Sequence, residues 1–541
     1  MQLGKKTLLA VLAGAIAACA PTLSEDSQQS PTNFERSMAT SAAELLADGS
    51  AIAIARSVST GEISAEAMAT QVVRRIQELD RSGPSYRAVL AINPNLMAEA
   101  RLLDEQIKAG SKTGLLLGVP VLIKDNIDVR GMPTTAGSLA LARNMRIEDS
   151  PVVARLRAAG ALIIGKANMS EWANFRGRRA PAGWSAVGGQ TLNAIDEERS
   201  PCGSSSGSAV AVATGIVPIA IGTETNGSII CPAAANGVVG AKPAVGSVPT
   251  EGVVPLAPSF DAVGAIGRRA SDVRLVLAVI GDDSGDQLNV PPPRARLEGL
   301  RIGAFRWAEG DDVEISSNFN RFLEALKAAG ASMVEIEEFD PSPNLWRDGM
   351  PVMEWEFKSS ITSYLEGAQL SGGPKTLAEL IEFNLANADI ELSIFGQEIF
   401  LSALERPDAS DRETAAMRDA LFKAAREDGI DALLSSNSVE LIVMPSGPPP
   451  RFRDPERNQR PRGRPIGAGW LPSLAGYPHM TIPMGMADGM PVGLSLFTAP
   501  ASQDQMLDVG IVLQRNINTA QAQNNALKAD RSERAEIEIR E

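Results

Sequence analysis

Two stretches of this chain carry serine in a setting that suggests chemistry: "SPCGSSSGSAVAVATG", from Ser200 to Gly215, and "GTETNGSIICPAAANG", from Gly222 to Gly237. Loops so rich in Gly and Ser hold backbone close to a ligand, and a serine in one is a candidate nucleophile. Gly203-Ser204-Ser205-Ser206-Gly207 matches the G-x-S-x-G elbow, in which Ser205 would attack and a histidine would take its proton. The only histidine is His479, in the apolar stretch "AGYPHMTIPMG", where packing is the commoner role. Lysine is the main remaining base, and it serves only when neutral, so its pKa must fall from about 10.4 toward roughly 7 to 8. Burial at the end of an apolar strand has that effect, because the ammonium form loses its water. Lys124, in "VPVLIKDNI", is so placed. The competing reading makes Lys124 a structural cation paired with Asp125 or another carboxylate. "GALIIGKA", from Gly160 to Ala167, approaches a P-loop, but its interior reads as strand and Ala167 stands where magnesium binding needs Ser or Thr.

The elements that would position these residues follow from periodicity. Ser64 caps a helix over "AEAMATQVVRRIQEL", and "LMAEARLLDEQIKAG" is a second helix ending at Gly110. The period then changes: "LLGVPVLIKD" is a buried strand ending near Lys124, and "SPVVARLRAAG" is a helix with Ser150 as cap, Pro151 in its first turn and Gly160 at its end. "ALIIGKAN", "GIVPIAIGTE", "LRIGAF", "ASMVEIEEF" and "VELIVMPSG" read as further strands, with "NFNRFLEALKAAG" as a helix among them. Strands alternating with helices predict an α/β fold whose largely parallel sheet is covered on both faces. Residues from Asn344 to Asp431 read as mostly helical, a cap over the sheet.

With 541 residues and 44% hydrophobic content the chain can bury large cores, and length alone suggests three or four domains. A net charge of −14 argues against nucleic acid and anionic membrane surfaces as partners. Three cysteines and one histidine leave no ligand cluster for zinc, so no metal is expected. The N-terminus, "MQLGKKTLLAVLAGAIAACAPTL", has two lysines, an apolar run from Leu8 to Ala18, then Cys19, and reads as a signal peptide over residues 1–18. "Ile16-Ala17-Ala18-Cys19" matches the bacterial lipobox, which makes Cys19 the lipid attachment site and the mature N-terminus; cleavage near Ala20 by an ordinary secretory route is the alternative. The expectation is an exported protein, lipid-anchored to the bacterial envelope. Ala20 rather than Asp after the cysteine points to the outer membrane, facing the periplasm. Residues 19–41 are a polar tether, and 524–541 are a charged tail expected to be disordered. Cys202 and Cys231 read as two separately buried thiols, with a disulfide as the alternative in an oxidising compartment. Six arginines between Arg451 and Arg464 read as a solvated loop, with a pocket mouth favouring acidic substrates as the alternative.

"GVPVLIKDNIDVRGMPTTAGS", "SPCGSSSGSAVAVATG" and "GTETNGSIICPAAANGVVGAKPAVG" resemble the amidase signature family in order and separation, and the likeness covers almost the whole mature chain. Within the family, "NMSEWANFRG", "GWSAVGGQT" and "IELSIFGQE" are most similar to bacterial peptide amidases, which hydrolyse C-terminal amides of peptides. The resemblance implies one large domain over residues 42–523, a mixed sheet between layers of helices, and no cofactor. It implies a Ser-Ser-Lys triad: Ser228 as nucleophile, Ser204 as the bridging serine behind a cis Gly203-Ser204 bond, and Lys124 as base. The backbone amides of Thr225, Asn226, Gly227 and Ser228 would form the oxyanion hole. Two positions depart from the family pattern, Asn226 for Gly and Ile230 for a basic residue; Asn tolerates unusual backbone angles, which would preserve the turn. The implied activity is cleavage of a carboxamide C–N bond, in a peptide amide or related small amide, through an acyl-enzyme with release of ammonia. An esterase or aryl acylamidase on the same triad is the alternative among hydrolases. A catalytically inactive, envelope-anchored binding protein is the alternative outside them, and the intact triad argues against it. The export signal, which separates the chain from tRNA, argues against a role in a transamidosome.

Overall fold

Thirteen strands run through the described chain: β1 Val89–Ile92, β2 Pro120–Lys124, β3 Leu162–Ala167, β4 Trp184–Ser185, β5 Gly189–Gln190, β6 Ile219–Glu224, β7 Val239–Lys242, β8 Ala262–Gly267, β9 Arg301–Phe305, β10 Ser332–Ile336, β11 Leu441–Pro445, β12 His479–Ala487 and β13 Met490–Phe497. The computed structural model describes residues 41–517 except 48, 282–289, 369, 371, 408–411 and 459–462. The segment expected to be a signal peptide, Cys19, nearly all of the expected tether and the charged tail lie outside the described residues, as do Arg460 and Arg462.

Eleven strands form one sheet in the order β1-β3-β2-β6-β8-β7-β12-β13-β11-β9-β10, and β4 and β5 form a small separate ribbon. One sheet replaces the several domains that length alone suggested. The parallel pairs lie toward the flanks, β3-β2-β6 on one side and β11-β9-β10 on the other. The middle, from β6 through β8, β7, β12 and β13 to β11, is antiparallel throughout. The sheet is therefore mixed, and the largely parallel sheet expected from strand–helix alternation is corrected. The cause is partly local. Asp488 and Gly489, at φ 50° and 69°, make a two-residue turn that folds β12 directly back on β13, the type of connection that Asp-Gly favours.

The predicted caps are in place. Ser64 accepts from the Ala67 amide at the start of the helix Ala65–Arg75, and Ser150 accepts from Val153 ahead of Pro151–Ala158. Apolar side chains alternate across β11, so that Leu441 and Val443 join one core and Ile442 and Met444 the other. The first core packs the helices of the N-terminal half, with Val313–Ala328, against the sheet. The second seats Asn344–Gly367, Leu377–Ala386, Glu398–Leu404 and Arg412–Ala425 against Phe305, Ile442, Met444 and Phe497, which is the helical cap expected from the sequence.

In the β2-β3 register Lys166 stands beside Ile123, and successive residues of a strand face opposite sides, so Lys166 and Lys124 lie on opposite faces of the sheet; Asp125 follows β2 in a turn. Asp125 turns to the fully buried Lys166 of β3, 3.1 Å away, and also accepts from the Thr135 hydroxyl. Lys166 is thus a structural cation, and Lys124 is not held by Asp125. Removing one partner of a buried pair strands the other. Asp125→Ala should lower unfolding stability by about 3–5 kcal/mol in urea titration, whereas the double replacement Asp125→Ala with Lys166→Met should recover a large part of the loss.

Candidate active site

Lys124 ends β2 and Glu224 ends the adjacent parallel strand β6, so both point into the crevice at the strands' carboxyl ends, where open α/β sheets bind ligands. Lys124 is fully buried. Its Nζ lies 2.8 Å from Ser204 Oγ, 2.8 Å from Thr223 Oγ1 and 3.1 Å from Thr223 O. Burial pulls its pKa down to about 7, while the charges of Glu224 and Asp261 draw it partly back up. The amine is therefore substantially neutral at physiological pH.

The loop Cys202–Ser205 enters the helix Ser206–Ala213, and the Gly203–Ser204 peptide bond is cis. The serines of this stretch have separate fates. Ser204 meets Lys124, Ser205 donates to Thr223 O at 3.1 Å, Ser206 to Cys202 O at 2.5 Å, and Ser208 to Ile221 O at 3.1 Å. The Ser205 amide donates to Ser228 O at 3.1 Å, which sets the two serine loops side by side. Ser228 is 8% exposed. Among the described residues its hydroxyl has no partner, and the amides of Thr225, Asn226, Gly227 and Ser228 donate to no other group. Gly227 alone in this turn has a positive φ, 78°; the departure at Asn226 therefore needs no special tolerance of Asn.

Three residues that the sequence did not single out fix this turn. The Glu224 carboxylate accepts from the Ile229 and Ile230 amides at 2.7 and 3.0 Å and from Ser473 Oγ at 3.2 Å. Asp261 accepts from Thr225 Oγ1 at 2.5 Å and from the Leu256 and Ala257 amides. Glu224 was legible as a carboxylate directly preceding a Gly-containing turn, but only the fold brings Asp261 to that turn and Ser473 to Glu224. A chamber lined by Trp172, Ala173, Thr225, Val254, Asp261 and Phe357 lies beside the turn.

Ser205 and His479 are not brought together as an elbow and its base. His479, in β12, is fully buried; its Nε2 lies 2.7 Å from Ser495 Oγ, and burial pushes its pKa down to about 3.

A family model described as Amidase matches residues 68–507. The chain belongs to the amidase signature family. It is an enzyme that hydrolyses amides. This amidase is 36% identical to the peptide amidase of Stenotrophomonas maltophilia, with a TM-score of 0.79 over 86% of this chain and 96% of that one. It is 32% identical over 466 residues to a probable amidase of Arabidopsis thaliana, covering 81% of this chain and 85% of the relative. It is 28% identical to an amidase family protein of Bacillus anthracis, with a TM-score of 0.77 over 90% of this chain and 94% of that one.

Two further features of the amidase surround its serine loops. Cys202 and Cys231 form a disulfide, with Cα atoms 5.8 Å apart, so the reading of two separate buried thiols is corrected; Cys231 is in fact exposed. Sequence distance concealed the pairing, since only the stacking of the two loops brings the sulfurs together. The arginine-rich loop clamps the segment leading into Ser204. Arg199 and Arg457 both stack on Phe452, Arg457 pairs with Glu198 at 2.9 Å, and Arg464 pairs with Asp311 at 2.9 Å. The disulfide closes a loop with a sequence separation of 29. Replacing both cysteines by alanine should lower stability by about 3–4 kcal/mol, read as a lower midpoint in denaturant, with a steeper slope because the unfolded chain without the cross-link exposes more surface.

Proposed function

We propose that this amidase cleaves carboxamides through Ser228, Ser204 and Lys124, and that peptide C-terminal amides are its substrate class. The observation that carries the reading is the 2.8 Å contact of a buried lysine, its pKa near 7, with the hydroxyl of Ser204. In this mechanism Ser228 Oγ attacks the carboxamide carbon while its proton passes to Ser204 and the Ser204 proton to Lys124. The unpaired amides of the 225–228 turn receive the developing oxyanion. The ammonium of Lys124 then returns a proton through Ser204 to the leaving nitrogen, ammonia departs, and water hydrolyses the acyl-enzyme by the same relay. Support for the substrate class comes from the likeness to peptide amidase, including its complex with the competitive inhibitor chymostatin, with a TM-score of 0.78.

The members of the triad should fail unequally. Ser228→Ala should drop amide hydrolysis to background and abolish labelling by a serine-directed fluorophosphonate. Lys124→Ala should cost about 10²- to 10⁴-fold in kcat/KM, and Ser204→Ala should leave a trace where water bridges. Ser205→Ala should keep most activity, because its hydroxyl bonds the backbone of Thr223 and not Lys124, while Ser208 still ties the helix to β6. Since Lys124 must be neutral to act, kcat should rise with pH through about 7 and level off above it. A rise near the pKa of free lysine would sink the assignment.

We further propose that the enzyme is exported and anchored through Cys19, which lies outside the described residues. The Cys202–Cys231 disulfide supports an oxidising compartment. Mass spectrometry of the native protein should find a diacylglyceryl cysteine at its N-terminus; an unmodified N-terminus beyond Cys19 would remove the anchor.

A further inference from the structure

The segments "NMSEWANFRG", "GWSAVGGQT" and "IELSIFGQE" converge behind the chamber. Asn168 accepts from Ser185 Oγ at 2.8 Å, Trp184 packs edge-on against Phe395, and the Arg176 guanidinium lies 3.9 Å over the Phe395 ring. At their junction three ionisable side chains are almost wholly buried. Arg176 Nε lies 2.7 Å from Glu171 Oε1, and Glu171 and Glu391 meet at one turn: a Cβ added at Gly137 would lie 3.1 Å from Glu171 Cα, and Glu391 bonds the next two residues, Ser138 and Leu139. Glu171 Oε2 accepts from the Ala186 amide at 2.9 Å, and Glu391 Oε1 accepts from Ser138 Oγ at 2.9 Å and the Leu139 amide at 2.7 Å. Glu391 Oε2 is buried and receives no donor among the described residues. Two carboxylates and one guanidinium sum to one negative charge, and two ionised carboxylates at one turn repel. One proton between them resolves both.

We propose that Glu171 and Glu391 share a single proton and act as positioning residues for the Trp172–Ala173 wall of the chamber, so that they govern KM and not the chemistry at Ser228. The wall needs such support. Trp172, Ala173 and Asn174 are three successive non-glycine residues in the left-handed region, at φ 47°, 54° and 68°, which stays populated only where surroundings enforce it. Glu171 directly precedes this run. The Trp172 amide donates to Ala136 O at 2.9 Å, and Ala136, also left-handed at φ 49°, lines the same chamber. Glu391 grips the next turn, Ser138–Leu139, from the cap. The shared proton thus ties together two strained turns and the helical cap, and its link to KM rests on reading the chamber as the substrate site.

Charge and burial agree with the geometry. Burial first, and then the Glu391 charge, hold the Glu171 pKa well above the carboxylate range against the pull of Arg176. The other charge acting on Arg176 is Glu398, which is exposed. A native state that keeps a proton the unfolded chain releases loses stability as pH rises toward the native pKa.

The experiment measures kcat and KM from about pH 6 to about pH 10 on an N-acetylated apolar amino-acid amide, which does not titrate in that range, with thermal unfolding recorded alongside. In the wild type KM should climb with rising pH as the Glu171 carboxyl, held above the ordinary carboxylate range, gives up its proton, while kcat, once Lys124 is neutral, stays level. In Glu391→Gln the amide donates permanently to Glu171, so KM should stay flat and the Tm advantage over wild type should grow with pH. Glu391→Ala should raise KM about tenfold at every pH with kcat within about twofold. A flat wild-type KM, or a climb that persists in Glu391→Gln, overturns the proposal. If the wild type cleaves no amide, the proposed function falls instead. The Tm comparison then still judges the shared proton: a Glu391→Gln difference that does not vary with pH overturns it.

Discussion

Removing the Lys124 ammonium from water is the constraint on which the site depends. A lysine in solution is protonated almost completely at neutral pH and is no base. Here the end of a buried strand strips its hydration, and the nearest acidic side chain in sequence, Asp125, is spent on Lys166 across the other face of the sheet. Had Asp125 faced the same way, the ion pair would have kept the amine charged. The register of β2 and β3 therefore puts Lys124 and Lys166 on opposite faces, and the turn after β2 gives Asp125 to Lys166. Glu224 and Asp261 act on Lys124 only at longer range, and their carboxylates are engaged by amides and a hydroxyl in and next to the 225–228 turn.

Much of this was legible in the amino-acid sequence. The strand ending at Lys124, the caps at Ser64 and Ser150 and the helical cap follow from periodicity and Gly placement, and the family resemblance drew attention to the turn at Ser228. What escaped did so for one reason, that it depends on which strands become neighbours. Sequence alternation could not tell the antiparallel middle of the sheet from a parallel one, because buried strands read alike in either arrangement. The Asp488-Gly489 hairpin was the one local signal for it. The Cys202–Cys231 bond, the Asp261 hold on Thr225 and the Ser473 hold on Glu224 all join segments whose proximity the sheet creates.

The serine-rich stretch ahead of the helix Ser206–Ala213 shows how a motif can mislead while its residues are all used. Ser205 sits at the centre of an elbow pattern, yet its hydroxyl is bound to a strand carbonyl, as is that of Ser208. These two fasten the helix to β6 and thereby place Ser204, the one hydroxyl of the group that reaches Lys124. Buried hydroxyls need partners, and most of the serines here serve that need.

The order of strands in the sheet has a consequence for how the chain is made. The two halves meet where β7 pairs with β12, Lys242 opposite His479, Ala241 opposite Met480 and Gly240 opposite Thr481. Well over two hundred residues of chain separate these partners, so the seam closes late in synthesis and closes a long loop. Until β12 arrives, β7 is an unpaired edge of buried, apolar sheet, the kind of surface that recruits strands from other molecules. Crowding of nascent chains thus threatens this seam first, and a substitution that weakened β12 would act by prolonging the exposure of that edge.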